Sequence, residues 1–322
     1  MPSLNGKQIA ALFVVLLIAG LFVRGPLPEI LVPAEPILSV GGIALTNSIL
    51  ATWLTIIVLL LLFRAATSNM QLIPRGAQNL LESAIEGLYG FVTSVAGERY
   101  GRHFFPMVAT IFLFVITNAW LSLFPGFGTI GLIHHAEHGG VALTSAGPVD
   151  LILPGAQRFE AESRIPEGTP VGVLVPLLRG ANTDLNTTLA LALIAMTFVE
   201  IWGVRAQGLF GYGSKFVNVG RIFRGEIGFG LIDVFVGVLE TISEFARIVS
   251  FTFRLFGNMF AGEVLLAVIV FLIPWSLVLV FYGLELFVGF VQALVFAGLT
   301  LVFASMAVAG HGEGHEGAAE HH

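Results

Sequence analysis

The chain has no cysteine among its 322 residues. That excludes a disulfide framework, a thiolate nucleophile and any cysteine-ligated metal. Charge is scarce as well. Asp, Glu, Lys and Arg make up 11% of the chain, and 21 acids against 15 basic residues leave a net charge of -6. That balance cannot build the basic face that nucleic acid requires. Phosphate-binding signatures are missing in usable form. Gly126-Phe127-Gly128-Thr129-Ile130-Gly131 has G-x-G-x-x-G spacing, but it follows an apolar stretch and opens a loop instead of joining a strand to a helix. Gly211-Tyr212-Gly213-Ser214-Lys215 lacks the spacing of a Walker A loop, so no nucleotide is expected to bind directly. No internal repeat is visible, which counts against an autonomous proton-coupled transporter.

What is abundant is apolar surface. Hydrophobic residues make up 56% of the chain and the mean hydropathy is +0.91, values of a membrane protein. Apolar stretches lie at 9–23, 43–63, 104–124, 187–204, 227–273 and 275–309, most of them near or above the roughly 20 helical residues that cross a bilayer. They are continuous, not alternating, and open strands cannot satisfy their backbone in lipid, so the spans are expected to be helices. Residues 79–95 differ. Leu80, Leu81, Ile85, Leu88 and Phe91 recur at helical spacing around Glu82 and Glu86. This segment reads as an amphipathic helix, either on the membrane surface or packed on neighbouring spans. The expected fold class is therefore an all-α polytopic membrane protein. It has about five to six membrane helices, an amphipathic surface helix and a long, steeply tilted C-terminal helical hairpin.

The basic residues set a topology. An alternating path puts Lys7, Arg64, Arg75, Arg99, Arg102, Arg205, Lys215, Arg221 and Arg224 on one side, read as cytoplasmic together with the C-terminus. Arg24, Arg158, Arg164 and Arg179 fall on the other side. The organisation expected is an N-terminal extra span and external linker (1–40), a membrane-embedded ion-conducting domain (41–310) and a His/Gly-rich tail (311–322). The stretch at 9–23 reads either as an uncleaved span or as a signal peptide, although no small-x-small cleavage site follows it. The external loop 125–182 is acidic, with Glu137, Asp150, Glu160, Glu162 and Glu167. It reads either as a cover over an external mouth or as a solvated insert. His134, His135 and His138, like His311, His315, His321 and His322, sit in loop or Gly-rich sequence and match no defined metal site. No cofactor is expected.

The last two stretches are the most informative. No proline interrupts 227–273 or 275–309. As helices they would be about 70 Å and 50 Å long, against a bilayer core of about 30 Å. An average tilt of about 20° cannot absorb that excess. Pro274 marks the turn between them. Within this hairpin stand Asp233, Glu240, Glu244, Arg247, Arg254, Glu263 and Glu285. An arginine near mid-span costs about 2.5 to 3.5 kcal/mol, so such residues are functional candidates. At about 100° per residue, Glu240, Ser243, Arg247, Arg254 and Asn258 share one face, and Glu263 lies nearly opposite. Glu285 and Gln292, seven apart, share a face of the final helix. Polar groups thus approach Arg254 from both ends of its helix, the layout of two offset aqueous half-paths separated by a cation. The alternative is that these residues pair with one another and hold the helices together, and Glu244 with Arg247 reads that way. Arg254 has no acid three or four residues away, so its partner is expected from another helix or another chain. Gly257, Ala261 and Gly262 would let that helix, of this chain or another, approach closely.

The run Arg254-Leu255-Phe256-Gly257-Asn258-Met259-Phe260-Ala261-Gly262-Glu263 closely resembles the signature of the a subunit family of rotary F-type ATP synthases. Asp184-Leu185-Asn186-Thr187-Thr188-Leu189 resembles the start of that family's fourth helix. Gln292-Ala293, with the apolar run ending at Ser305-Met306, resembles its last helix. The resemblance runs from about Ser48 to Ala309 and implies roles by position. Arg254 matches the stator arginine facing the rotor ring. Glu263, Asn258, Glu285 and Gln292 match the external half-channel, and Glu240 and Ser243 the cytoplasmic side. Position 285, histidine in some members, is Glu285 here. The implied partners are an oligomeric ring of rotor c subunits, peripheral-stalk b subunits and the lipid bilayer of a bacterial inner membrane. The implied function is a proton-conducting stator subunit with no catalytic site of its own.

Overall fold

A computed structural model describes residues 32–128, 130–135, 140–146, 149–151, 158–159, 171–216, 227–272 and 275–309, together with 11, 14, 15 and 18. The stretch at 9–23, apart from those four residues, lies outside the described residues. So do Lys7, Arg24, His138, Glu137, Glu160, Glu162, Arg164, Glu167, Arg221, Arg224, Pro274 and the tail from 310 onward.

A β-hairpin opens the described chain. Strands β1 (Pro36–Val40) and β2 (Ile43–Thr46) pair antiparallel, with Val40 opposite Ile43. Gly41 and Gly42, at φ 60 and 85, form the two-residue turn, the backbone that fits strand twist and that glycine adopts without a Cβ penalty. The apolar stretch expected to be helical from 43 therefore begins as a strand, and helix α1 starts at Asn47 (Asn47–Thr67).

The next helix, α2 (Ala77–Ser122), is 46 residues long and holds two pieces joined at Gly97, whose φ of 71 and ψ of 164 are not helical. The amphipathic segment 79–95 is the first piece. Leu81, Leu88 and Val92 are buried, and the ring of Phe91 lies against Gly298 of the final helix. That is the packed arrangement of the two expected. Helix α3 (Leu185–Gln207) buries Thr188, Ala192, Ala195, Met196, Val199 and Gly203, a stripe at three- and four-residue spacing. A short α4 (Leu209–Gly213) folds back on it. The side chain of Tyr212 occupies the space that a Cβ at Gly203 would fill.

Helices α5 (Ile227–Leu272, 46 residues) and α6 (Trp275–Ala309, 35 residues) match the two long stretches read from sequence to within a residue. Five helices among the described residues are long and apolar enough to cross a membrane: α1, α2, α3, α5 and α6. Large apolar side chains such as Leu60, Leu61, Leu231, Phe235, Phe287 and Val280 point outward, surface that a bilayer covers and water does not. The chain is a helical multi-pass membrane protein.

The loop expected at 125–182 holds strands outside the spans. β3 (Pro125–Gly128) precedes a four-stranded antiparallel sheet in the order β4 (Gly131–His135), β9 (Val171–Pro176), β5 (Gly140–Ala142) and β8 (Arg158–Phe159). β6 (Thr144–Ala146) and β7 (Val149–Leu151) form a hairpin. The valine-rich β9 sequence favours a pleated strand once it is clear of lipid. Gly126 and Gly128 have φ of 112 and 71, so this glycine-rich run shapes a strand and its exit.

The chain forms two compact units. One comprises Met1–Leu54, Asn118–Asp184 and Gly257–Phe290, the other Thr55–Thr117, Leu185–Phe256 and Val291–His322.

Candidate functional site

In the first unit the end of the 125–182 segment is fixed by buried polar contacts. Ser48 donates to Asp184 at 2.7 Å, and the backbone N–H of Asn182 donates to Asn118 Oδ1 at 3.1 Å. This anchoring places Arg179, only 7% exposed, against Glu263 of α5 at 3.1 Å. Its Nε reaches both carboxylate oxygens, its Nη2 reaches Oε2 at 3.3 Å, and its Nη1 donates to the Pro33 carbonyl at 3.0 Å. The guanidinium carbon is 5.8 Å from the Phe260 ring centre. Glu263 remains 40% exposed, so one side of the pair is open. Glu285 on α6 is 9% exposed. Its carboxylate fills the space where a Cβ on Gly262 would stand. Gly262 is thus the residue that admits an acid from the neighbouring helix. Asn258 is exposed on α5.

In the second unit α5 carries a linked set of charges. Lys215, just past α4, contacts Glu240 at 2.6 Å and Glu244 at 3.2 Å. Arg247 contacts Glu244 at 2.6 Å, the i,i+3 pair expected from sequence, and lies 4.4 Å from the Phe303 ring centre. Burial works against the Lys215 charge, but hydrogen bonds and attraction from Glu240 and Glu244 outweigh it, and its pKa rises above the ordinary lysine value. Burial, and then the hydrogen bond and charge of Glu200, push the Tyr212 hydroxyl up. Ser243 is exposed and Gln292 is buried.

Arg254 stands apart from this network. It is half-buried, its Nη2 lies 3.4 Å from Ser250 Oγ, and its guanidinium carbon is 5.8 Å from the Phe251 ring centre. Phe251 in turn packs edge-on to Phe296 at 4.9 Å and against Phe303 at 5.5 Å. That aromatic seam fixes the rotation of α5 at this turn. Among the described residues no carboxylate lies within ion-pair distance of Arg254. Three residues on, about one helical turn, Gly257 has open space where a Cβ would project.

The sequence candidates therefore fall into two groups, one in each unit, and Arg254 is unlike the other charged candidates in having no acid beside it among the described residues. Two residues that complete these groups were counted in the sequence only toward topology: Arg179 and Lys215. The available signal was weak. Glu240 and Glu244, four apart on an apolar helix, require a cation, but spacing does not say which loop supplies it.

The family model described as the ATP synthase A chain matches residues 49–305. The chain belongs to the ATP synthase A chain family. Curated relatives agree over most of its length. An ATP synthase subunit a of Campylobacter fetus is 30% identical over 256 residues, covering 79% of this chain and 87% of that protein. One of Syntrophobacter fumaroxidans is 27% identical over 290 residues, covering 90% and 92%. One of Moorella thermoacetica is 28% identical over 279 residues, covering 87% and 98%. As an A chain, the protein is a membrane-sector subunit of ATP synthase and not itself catalytic. The matched region contains every candidate charge of α5 and α6.

Proposed function

We propose that this A chain is the proton-conducting stator of an F-type ATP synthase, in which Arg254 makes passing rotor carboxylates give up their protons. One observation carries the reading: a half-buried guanidinium on a span-length helix with no carboxylate beside it among the described residues. Glu263 has Arg179, and Glu240 and Glu244 have Lys215. No acid of the described residues supplies a counter-charge for Arg254, and an oligomeric ring of c subunits would supply one at each step.

The electrostatics suit the task. A rotor carboxyl group is neutral while it faces lipid. At about 4 Å from Arg254, with an effective dielectric near 20, the attraction to its anion is about 4 kcal/mol. That is roughly three pKa units, enough to release a proton near neutral pH. Arginine keeps its charge throughout, so it separates two half-paths without titrating. Glu263, Asn258, Glu285 and Gln292 serve the external half-path, and Glu240 and Ser243 the cytoplasmic one. Peripheral-stalk b subunits hold the chain still while the ring turns. The membrane is a bacterial inner membrane, with the C-terminus on the cytoplasmic side.

The absence of native cysteine makes a proximity test direct. Gly257→Cys, in the open space next to Arg254, should form a disulfide with a cysteine placed beside the carboxylate of a c subunit in membranes holding the assembled complex. A Gly257→Cys chain that never cross-links to the ring, or a purified complex with no ring, contradicts the proposal.

A further inference from the structure

The second unit carries a cavity of about 830 Å³ that the proton path does not use. Its rim is basic. Arg99 and His103, just after the Gly97 joint of α2, and Arg205, in the last turn of α3, line it together. Both arginines are exposed, and among the described residues neither has a carboxylate within ion-pair distance. Its wall is aromatic. Phe104 and Trp202 pack at 4.5 Å and Phe198 and Trp202 at 5.8 Å between ring centres. Phe198 precedes Arg205 by seven residues, so the cavity runs about 10 Å along α3 from the basic rim into the apolar span. Phe198, within a helix long and apolar enough to cross a membrane, is itself partly exposed, leaving this side open.

We propose that this cavity binds an anionic phospholipid, its phosphate between Arg99 and Arg205 and the start of an acyl chain along Phe104, Phe198 and Trp202. Charge complementarity selects the headgroup. Two guanidinium groups at the end of a span, neither with a carboxylate in ion-pair distance among the described residues, attract a phosphate, and their planar forks match its oxygens. The aromatic wall selects a lipid over free phosphate, because inorganic phosphate has nothing to bury against it. Trp202 stands three residues before Arg205 near the end of α3, the place along a span where amphipathic rings commonly meet headgroups.

The test uses the full chain in nanodiscs and probes binding with brominated phosphatidylglycerol and brominated phosphatidylcholine. Trp202 fluorescence is isolated as the difference between the native chain and Trp202→Phe. Brominated phosphatidylglycerol should quench it at a lower mole fraction than brominated phosphatidylcholine. Arg99→Gln with Arg205→Gln should weaken the phosphatidylglycerol effect about thirtyfold, about fivefold per arginine, and leave the phosphatidylcholine effect unchanged. Arg99→Lys with Arg205→Lys should keep most of the preference, which separates lost charge from lost fold. Equal quenching by the two lipids in the native chain overturns the proposal without any charge variant. Full relief of phosphatidylglycerol quenching by millimolar inorganic phosphate at constant ionic strength also overturns it, by assigning the arginines to free phosphate.

Discussion

Arg179 and Glu263 show how a charge is held inside this chain. The guanidinium is nearly buried and meets both carboxylate oxygens, while the carboxylate keeps an open side. Removing one partner of a fully buried pair costs about 3–5 kcal/mol. Glu263→Gln should cost less than that, because water reaches Glu263, yet it still leaves Arg179 without a counter-charge. A lower thermal midpoint of the purified chain, larger than that from Ser243→Ala at an exposed site, is the expected result. Gly262 yields a second prediction. Gly262→Ala places a methyl group where the Glu285 carboxylate sits, and overpacking of this kind costs about 1–3 kcal/mol. In a double-mutant cycle most of that loss should disappear in a Glu285→Ala background. Additive losses would mean that the two residues do not meet. Neither contact was legible in the sequence. The acids were visible as charges in apolar runs, but their partners come from segments 84 and 23 residues away, and helical periodicity carries no information across a loop.

Among the elements, α5 and α6 were legible to within a residue because long proline-free apolar runs leave no alternative in lipid. The Gly97 joint was not, since a single glycine among helix formers does not announce a positive φ. Gly97 has open space around it, so Gly97→Ala tests backbone strain alone. Its φ and ψ lie in a region essentially reserved for glycine, and the substitution should cost about 1–3 kcal/mol by thermal unfolding. The Lys215 link between α4 and α5 makes a pH prediction. Its folded pKa is raised, so its stabilisation is complete below the ordinary lysine value of 10.5 and is lost as pH climbs through the higher folded value. The native chain should therefore lose stability above that pH more steeply than Lys215→Met, while the two curves run parallel between pH 6 and 9. Parallel curves throughout would show that the bridge contributes nothing. The strands of the 125–182 segment were missed for a related reason. Long apolar runs mark only elements able to cross lipid, and the valine-rich β9 lies outside the spans.

For the whole molecule, family, fold and the outlying arginine are all legible in the sequence, because an apolar environment makes each charge conspicuous. The division into two units, with Glu263 and Glu285 in one and Arg254 and Glu240 in the other, was not readable, since it depends on how loops return the chain to its helices. The account rests on Arg254 as a fixed charge that meets carboxylates from a moving partner. The most direct test reconstitutes the complete ATP synthase with Arg254→Ala into vesicles and measures ATP-driven acidification and passive proton flux under an imposed potential. ATP-driven acidification should vanish while passive flux persists or increases. Acidification at the native rate with no added leak would contradict the account.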